Sequence, residues 1–227
     1  LTHPIYVDAT TRLLITKNLD VALRRLRLTD KKRRLWADAV CINQSDEKEK
    51  ATQIPPMVHV FRGARRVLAW LGHVGQRTGE EIGLELLERW SRSRPKTLVN
   101  VDKDRRAEED DEANLRHILR FLSLPWFSRL WIIQEVVFNL DVVLISGASE
   151  LSWLRLMKAL PILRAKLNNR SHFVGRQNID ALERIGRLWK FHCDFIYSWD
   201  ESSWGLGNTK NDNKGDIVGI VEEFWKY

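Results

Sequence analysis

Two apolar runs organise the pattern of hydrophobic and polar positions. Leu35 to Ile42 is apolar almost throughout, interrupted only by Asp38, and Val67 to Leu71 is apolar without a break. The first ends in Asn43-Gln-Ser-Asp46 and the second in Gly72. Continuous apolar runs of this length, bounded by turn signals, predict strands buried on both faces, as in a parallel sheet covered by helices. Between them Ile54, Met57, Phe61 and Ala64 follow helical spacing. Pro55 and Pro56 lack amide donors, so the helix is expected to split there, with Asp46 to Gln53 as a separate turn. The result is a β-α-β unit. Ligands of such sheets sit beyond the carboxyl ends of the strands, and Asn43, Gln44, Ser45 and Asp46 fall at that end of the first one.

Around this unit, Ile5-Tyr-Val-Asp8 and Arg12-Leu-Leu-Ile-Thr16 predict a β-hairpin. Asn18 is positioned to cap a helix with Leu19, Ala22, Leu23 and Leu26 on its apolar face. A helix over Glu80 to Trp90 turns Ile82, Leu86, Leu87 and Trp90 inward. Residues 91–113 are mostly polar, with the charge runs Asp102-Lys-Asp-Arg-Arg106 and Glu108-Glu-Asp-Asp-Glu112, and read as an exposed insertion. Asn114 is the expected cap of a helix that Pro125 ends, and Ser128 of another carrying Leu130, Trp131, Ile133 and Val137. Asp141-Val-Val-Leu-Ile-Ser-Gly147 predicts a third buried strand. Beyond it come a helix from Ser152 broken at Pro161, an amphipathic helix over Asn178 to Trp199, a Gly/Asn/Ser-rich loop over Ser202 to Lys214 and a last helix from Ile217. The organisation is α/β over residues 1–147, with a helical continuation over 148–227.

Composition narrows the function classes. The chain has 227 residues, 44% hydrophobic and 30% charged, with ten Trp, enough for a sizeable core. It holds no apolar run of about 18 residues and opens on no signal-peptide pattern, so no membrane partner is expected and a cytoplasmic, reducing compartment is the simplest reading. Cys41 and Cys193 are too few and too far apart for a zinc site or a disulfide framework, and no metal site is expected; Cys41 reads as a small core residue. A net charge of +7 raises the question of nucleic acid, yet basic residues are scattered among 30 acids without interleaved aromatics, so nucleic acid is not the expected partner. Lys31-Lys-Arg-Arg34 is the densest cluster and reads as a solvated loop leading into the first strand.

Two blocks together resemble the heterokaryon-incompatibility (HET) domain of filamentous fungi. The first is Leu35-Trp-Ala-Asp-Ala-Val-Cys-Ile-Asn-Gln44, followed by Asp46, Glu49, Gln53, Met57, Phe61, Ala64 and Val67-Leu-Ala-Trp-Leu-Gly72. The second is Pro125-Trp-Phe-Ser-Arg-Leu-Trp-Ile-Ile-Gln-Glu-Val136. Upstream, Ile15-Thr-Lys-Asn-Leu19, Ala22-Leu23 and Leu26-Arg27 extend the likeness, which covers roughly residues 5–147. Ala37, Lys50, Phe61 and the two prolines depart from the family's pattern, and its first block, an aromatic strand ending in Trp-Gly, would precede residue 1. The resemblance implies a short parallel sheet flanked by helices, similar to TIR and flavodoxin-like folds and lacking its first strand here, with a helical C-terminal extension. It further implies a role in nonself recognition that triggers cell death. Self-association on activation and a receptor or allelic partner protein go with that role. By the likeness to TIR domains, NAD becomes a candidate substrate with no cofactor required.

In that comparison Glu135 falls where the TIR helix carries its catalytic glutamate. Set among Trp131, Ile132, Ile133, Val136 and Val137, it would be partly desolvated, which suits a carboxyl to proton work; the alternative is a surface glutamate paired with Arg129. Glu49 is the second catalytic candidate, although Asp46-Glu-Lys-Glu-Lys50 is also an ordinary helix start. Asp38, inside an expected buried strand, must be paired or must meet a ligand. Asn43 and Gln44 either hold a ribose or phosphate or tie down their loop. Asp46, Gln53, Trp126, Arg129, Trp131 and Gln134 complete the candidate ligand-binding set. Trp36, Trp70, Trp126 and Trp131 read first as core. No glycine-rich phosphate loop is present, so NAD recognition would differ from the Rossmann pattern.

Overall fold

The computed structural model describes residues 2–6, 9–72, 78–92, 105–168 and 176–203, with the side chains at 105–110, 176–177 and 194–203 left out. The expected loop and helix beyond Ser203, and most of the polar insertion, lie outside the described residues.

The chain opens with an antiparallel hairpin, β1 (His3–Tyr6) and β2 (Arg12–Ile15), in which Pro4 faces Leu14 and Tyr6 faces Arg12. Ile15 is buried beneath it. Helix α1 (Lys17–Leu26) is capped by Thr16, whose hydroxyl accepts from the Leu19 N–H at 3.2 Å. Asn18, expected in that role, instead accepts a hydrogen bond from the Trp70 indole at 3.0 Å.

The first apolar run is not a strand. Arg34 to Trp36 is exposed, no residue of the stretch up to Ala37 joins a ladder, and Asp38–Cys41 forms a one-turn helix, α2. The physical reason is local. Asp38 stands favourably at a helix start, where its Oδ1 accepts from the Ala39 N–H at 2.7 Å, and Ala37 and Ala39 carry little β preference. Cys41 is accordingly exposed rather than core, and only Ile42 of this run is buried. The split at the prolines is observed: α3 (Glu47–Gln53) and α4 (Met57–Gly63) are separate helices, with Pro56 as the N-cap of the second.

The sheet is built from the other two runs and a strand the pattern did not announce. β3 (Val67–Trp70) pairs in parallel with β4 (Val142–Ser146), from Val67 opposite Val142 to Trp70 opposite Ile145. β4 turns at Gly147, with φ +56, into β5 (Ser149–Ser152), its antiparallel neighbour on the other edge. The order β3-β4-β5 puts β4 in the centre, with every side chain buried. The sheet therefore continues across Gly147, where the α/β part was expected to stop.

Helices α5 (Gly79–Arg92) and α6 (Arg105–Leu122) pack closely. A Cβ on Gly83 would stand 2.2 Å from the His117 carbonyl oxygen, so only glycine admits this approach. α6 starts well before Asn114, which lies inside the helix; the apolar series Leu115, Ile118 and Leu122 anchors it and the charged residues extend it outward. After a 3-10 turn over Pro125–Ser128 comes α7 (Ile132–Val137). Ser128 does not cap it, because its hydroxyl donates back to the Pro125 carbonyl at 2.8 Å. α8 (Trp153–Asn168) runs through Pro161. The ring sits on the exposed side, while Leu156, Leu160, Leu163 and Leu167 bury the opposite face and hold the helix together across the missing amide. α9 spans Arg176–Ser203. The chain divides into two compact units, Leu1–His192 and Cys193–Tyr227; the sheet and the candidate site belong to the first, and the described part of the second is the end of α9.

Candidate functional site

α7 lies between the 3-10 turn and the central strand, and its Ile132, Ile133, Val136 and Val137 are buried. That packing fixes the helix rotation and sets Glu135, half-buried, against Trp126. The Trp126 indole N–H donates to Glu135 Oε2 at 2.8 Å, and Trp126 itself is buried edge-on against Phe127. Burial pushes the Glu135 carboxyl above the ordinary glutamate value, and the charge of Asp38 adds to that rise; the indole hydrogen bond and the Arg129 guanidinium oppose it. The groups that bear on this carboxyl come from two sequence-distant blocks. Glu135, Trp126 and Arg129 come from the second, Asp38 from the first.

The loop after Asp38 is tied down by its own polar groups. The Gln44 side-chain amide donates to the Asp38 carbonyl at 2.9 Å and to the Ile42 carbonyl at 3.1 Å. Asn43 Oδ1 accepts from the Ser45 N–H at 3.1 Å, and Glu49 Oε1 accepts from the Asn43 N–H at 3.1 Å. Asp46 caps α3 by accepting from the amides of Lys48 and Glu49 at 2.9 and 3.1 Å. Gln53 ends that helix, exposed. Asn43, Gln44, Asp46 and Glu49 therefore serve the loop's conformation, and Glu49 reaches Asn43 rather than Glu135.

Asp38 is an exposed helix-start residue, not the buried strand carboxylate the pattern suggested. Arg129 is exposed and Trp131 half-buried. Gln134 Oε1 is buried with no hydrogen-bond partner, one position before Glu135. Of the four tryptophans read as core, only Trp126 is fully buried; Trp36 stays 37% exposed, edge-on to Phe61.

One organising residue escaped the sequence reading. The Asn139 side-chain amide donates to the carbonyls of Phe61 and Ala64 at 2.8 and 2.7 Å, and its Oδ1 accepts from the Asp141 N–H at 2.8 Å. Its own carbonyl accepts from the Trp189 indole at 3.1 Å. It locks the end of α4 to the end of α7, and a polar residue between an apolar helix and an apolar strand was its only signal. Glu81, buried on α5, accepts from the Ala148 N–H at 2.9 Å and braces the β4–β5 turn; nothing in its surroundings in sequence marks it. Among the described residues no cluster of His, Cys, Asp or Glu could hold a metal ion, and no helix is long and apolar enough to cross a membrane.

Comparison with known proteins bears on what this arrangement belongs to. The sequence profile described as "Heterokaryon incompatibility protein (HET)" matches residues 2–135. The chain is similar to "Heterokaryon incompatibility protein 6, OR allele" of Neurospora crassa, 29% identical over 163 residues. That match takes in 60% of this chain and 24% of the relative, so the chain spans about a quarter of the curated relative's length. No solved structure matches it. The matched span runs through both blocks and ends on the helix that carries Glu135, and the chain belongs to the heterokaryon incompatibility (HET) family.

Proposed function

We propose that this domain is an effector of heterokaryon incompatibility that triggers cell death after nonself recognition, and that it does so by hydrolysing NAD at Glu135. What supports this reading is the Glu135 carboxyl, desolvated among apolar residues and held by the Trp126 indole N–H at 2.8 Å, with the charge of Asp38 from the other block also bearing on it. Two carboxyl groups in unlike surroundings, one desolvated and one in solvent, supply the division of labour that glycosidic cleavage uses. The bond between nicotinamide and ribose breaks with its electron pair going to the pyridine nitrogen, so nicotinamide leaves neutral. The ribose left behind is oxocarbenium-like, and carboxylate charge stabilises it. Water adds to the anomeric carbon and loses its proton to a carboxylate.

Incubating the full chain with NAD and following nicotinamide release tests this. Release is expected from the wild type when copies are clustered, lost in Glu135→Gln and retained in Glu49→Gln. Unchanged release from Glu135→Gln would sink the assignment. The second reading is a non-catalytic module acting by self-association or by binding a receptor or allelic partner protein. It is favoured by one feature: the polar groups of Asn43, Gln44, Asp46 and Glu49 are already taken up within their loop. No release from clustered protein, together with concentration-dependent association, would select it.

A further inference from the structure

The loop between α1 and α2 has a composition and geometry that neither carboxylate explains. From Arg27 to Trp36 it carries Arg27, Lys31, Lys32, Arg33 and Arg34 against one acid, Asp30, and so holds more than half of the chain's net charge of +7. Every residue in it except Leu28 is exposed. Arg33 Nη1 donates to the Leu26 carbonyl at 2.7 Å, closing the loop across its base and gathering the other cations on one short segment. Directly after the basic run come Leu35 and Trp36, 40% and 37% exposed, on backbone that forms no strand.

We propose that this loop docks the domain on an anionic lipid surface. The charge is complementary to phospholipid headgroups, which attract clustered Lys and Arg lying near the membrane plane. Leu35 supplies the other half of the interaction: its aliphatic side chain, 40% exposed beside the cations, enters the interface at headgroup level, and Trp36, edge-on to Phe61, flanks it. A nucleic-acid surface would interleave aromatic platforms with its cations, whereas here the cations are consecutive and the apolar pair stands at one end. This surface acts independently of any chemistry at Glu135.

Sedimentation of the full chain with vesicles of phosphatidylcholine, with and without phosphatidylserine, tests the proposal. Binding is expected only with phosphatidylserine. Lys31→Gln/Lys32→Gln removes two near-surface cations in a solvated loop and is expected to weaken it roughly thirtyfold. Leu35→Ser, at an exposed position, is expected to leave binding weaker and more easily released by salt. Three results would each overturn the proposal: no binding to either vesicle, equal binding to both, or wild-type binding by the lysine variant. Tighter binding to duplex DNA than to phosphatidylserine vesicles, insensitive to Leu35→Ser, would assign the loop to nucleic acid instead.

Discussion

Residues 35–42 and 142–146 are both short apolar runs ending in turn residues, yet one is an exposed segment with a one-turn helix and the other the buried centre of the sheet. The difference lies in what each offers a neighbour. β4 reads Val-Val-Leu-Ile, without a polar break, and finds β3 on one edge and β5 on the other, so its backbone groups are paired on both sides. The earlier run carries Asp38 in its middle and alanines on either side, and its Ala37, Asp38 and Ile42 carbonyls accept from amides of the same short turn and from Gln44. An apolar run becomes a central strand when its backbone groups find ladders; a single acid with a local alternative is enough to divert it.

The contrast is sharpest in a pair of truncations. Leu144, fully buried in β4, is expected to lose about 2–5 kcal/mol on Leu144→Ala. Leu35→Ala, at the exposed run, is expected to change stability by less than about 0.5 kcal/mol. Urea denaturation of both variants checks this, and comparable losses would mean that the first run is packed after all.

The two carboxylates extend the comparison to the site. Glu135→Ala leaves the buried Trp126 indole N–H without its acceptor and is expected to cost about 1–3 kcal/mol. Glu49→Ala removes only an acceptor for the exposed Asn43 amide, which water replaces, and is expected to cost less than about 1 kcal/mol. Equal losses in thermal unfolding would remove the distinction drawn between the two sites.

What the sequence made legible follows the same division. The hairpin, the break at Pro55 and Pro56, the strand at Val142–Ser146 and the long helix α9 were readable, because each rests on local rules or on one dominant period. β5 was not: Ser149–Ser152 is short, has one buried apolar residue, Leu151, and exists because β4 offers it an edge. Pro161 misled because the rule that it breaks helices assumes no compensating face. Glu135 stood out as an acid among apolar neighbours, but its partner Trp126 could not be read, since the indole's direction is set by the 3-10 turn. Asp38 was singled out for the wrong reason, as a buried strand acid, and is an exposed helix-start acid whose charge nonetheless reaches Glu135.

The loop that replaces the first expected strand depends on its cap. Asp46 holds the first amides of α3 while Glu49, on the same turn, reaches back to Asn43. Asp46→Ala is expected to cost about 1 kcal/mol. It should also speed amide exchange at Lys48 and Glu49, with no change at the β4 amides. Equal acceleration in β4 would show that loop and sheet unfold together.

The smallest effect is also the most diagnostic of the site, because it isolates one charge. The folded state raises the Glu135 pKa, so the protonated form is the one the fold favours. The stability this contributes is fully present below the ordinary glutamate value and is lost as pH rises through the raised value of the folded protein. Glu135→Gln keeps an oxygen for the Trp126 indole and carries no charge, so it has no such dependence. Relative to the wild type, the variant should therefore gain stability between acid and neutral pH. Paired urea titrations across this range measure it, and a wild type that gains on the Glu135→Gln variant as pH rises would mean that Arg129 and Trp126 outweigh burial and Asp38 at this carboxylate.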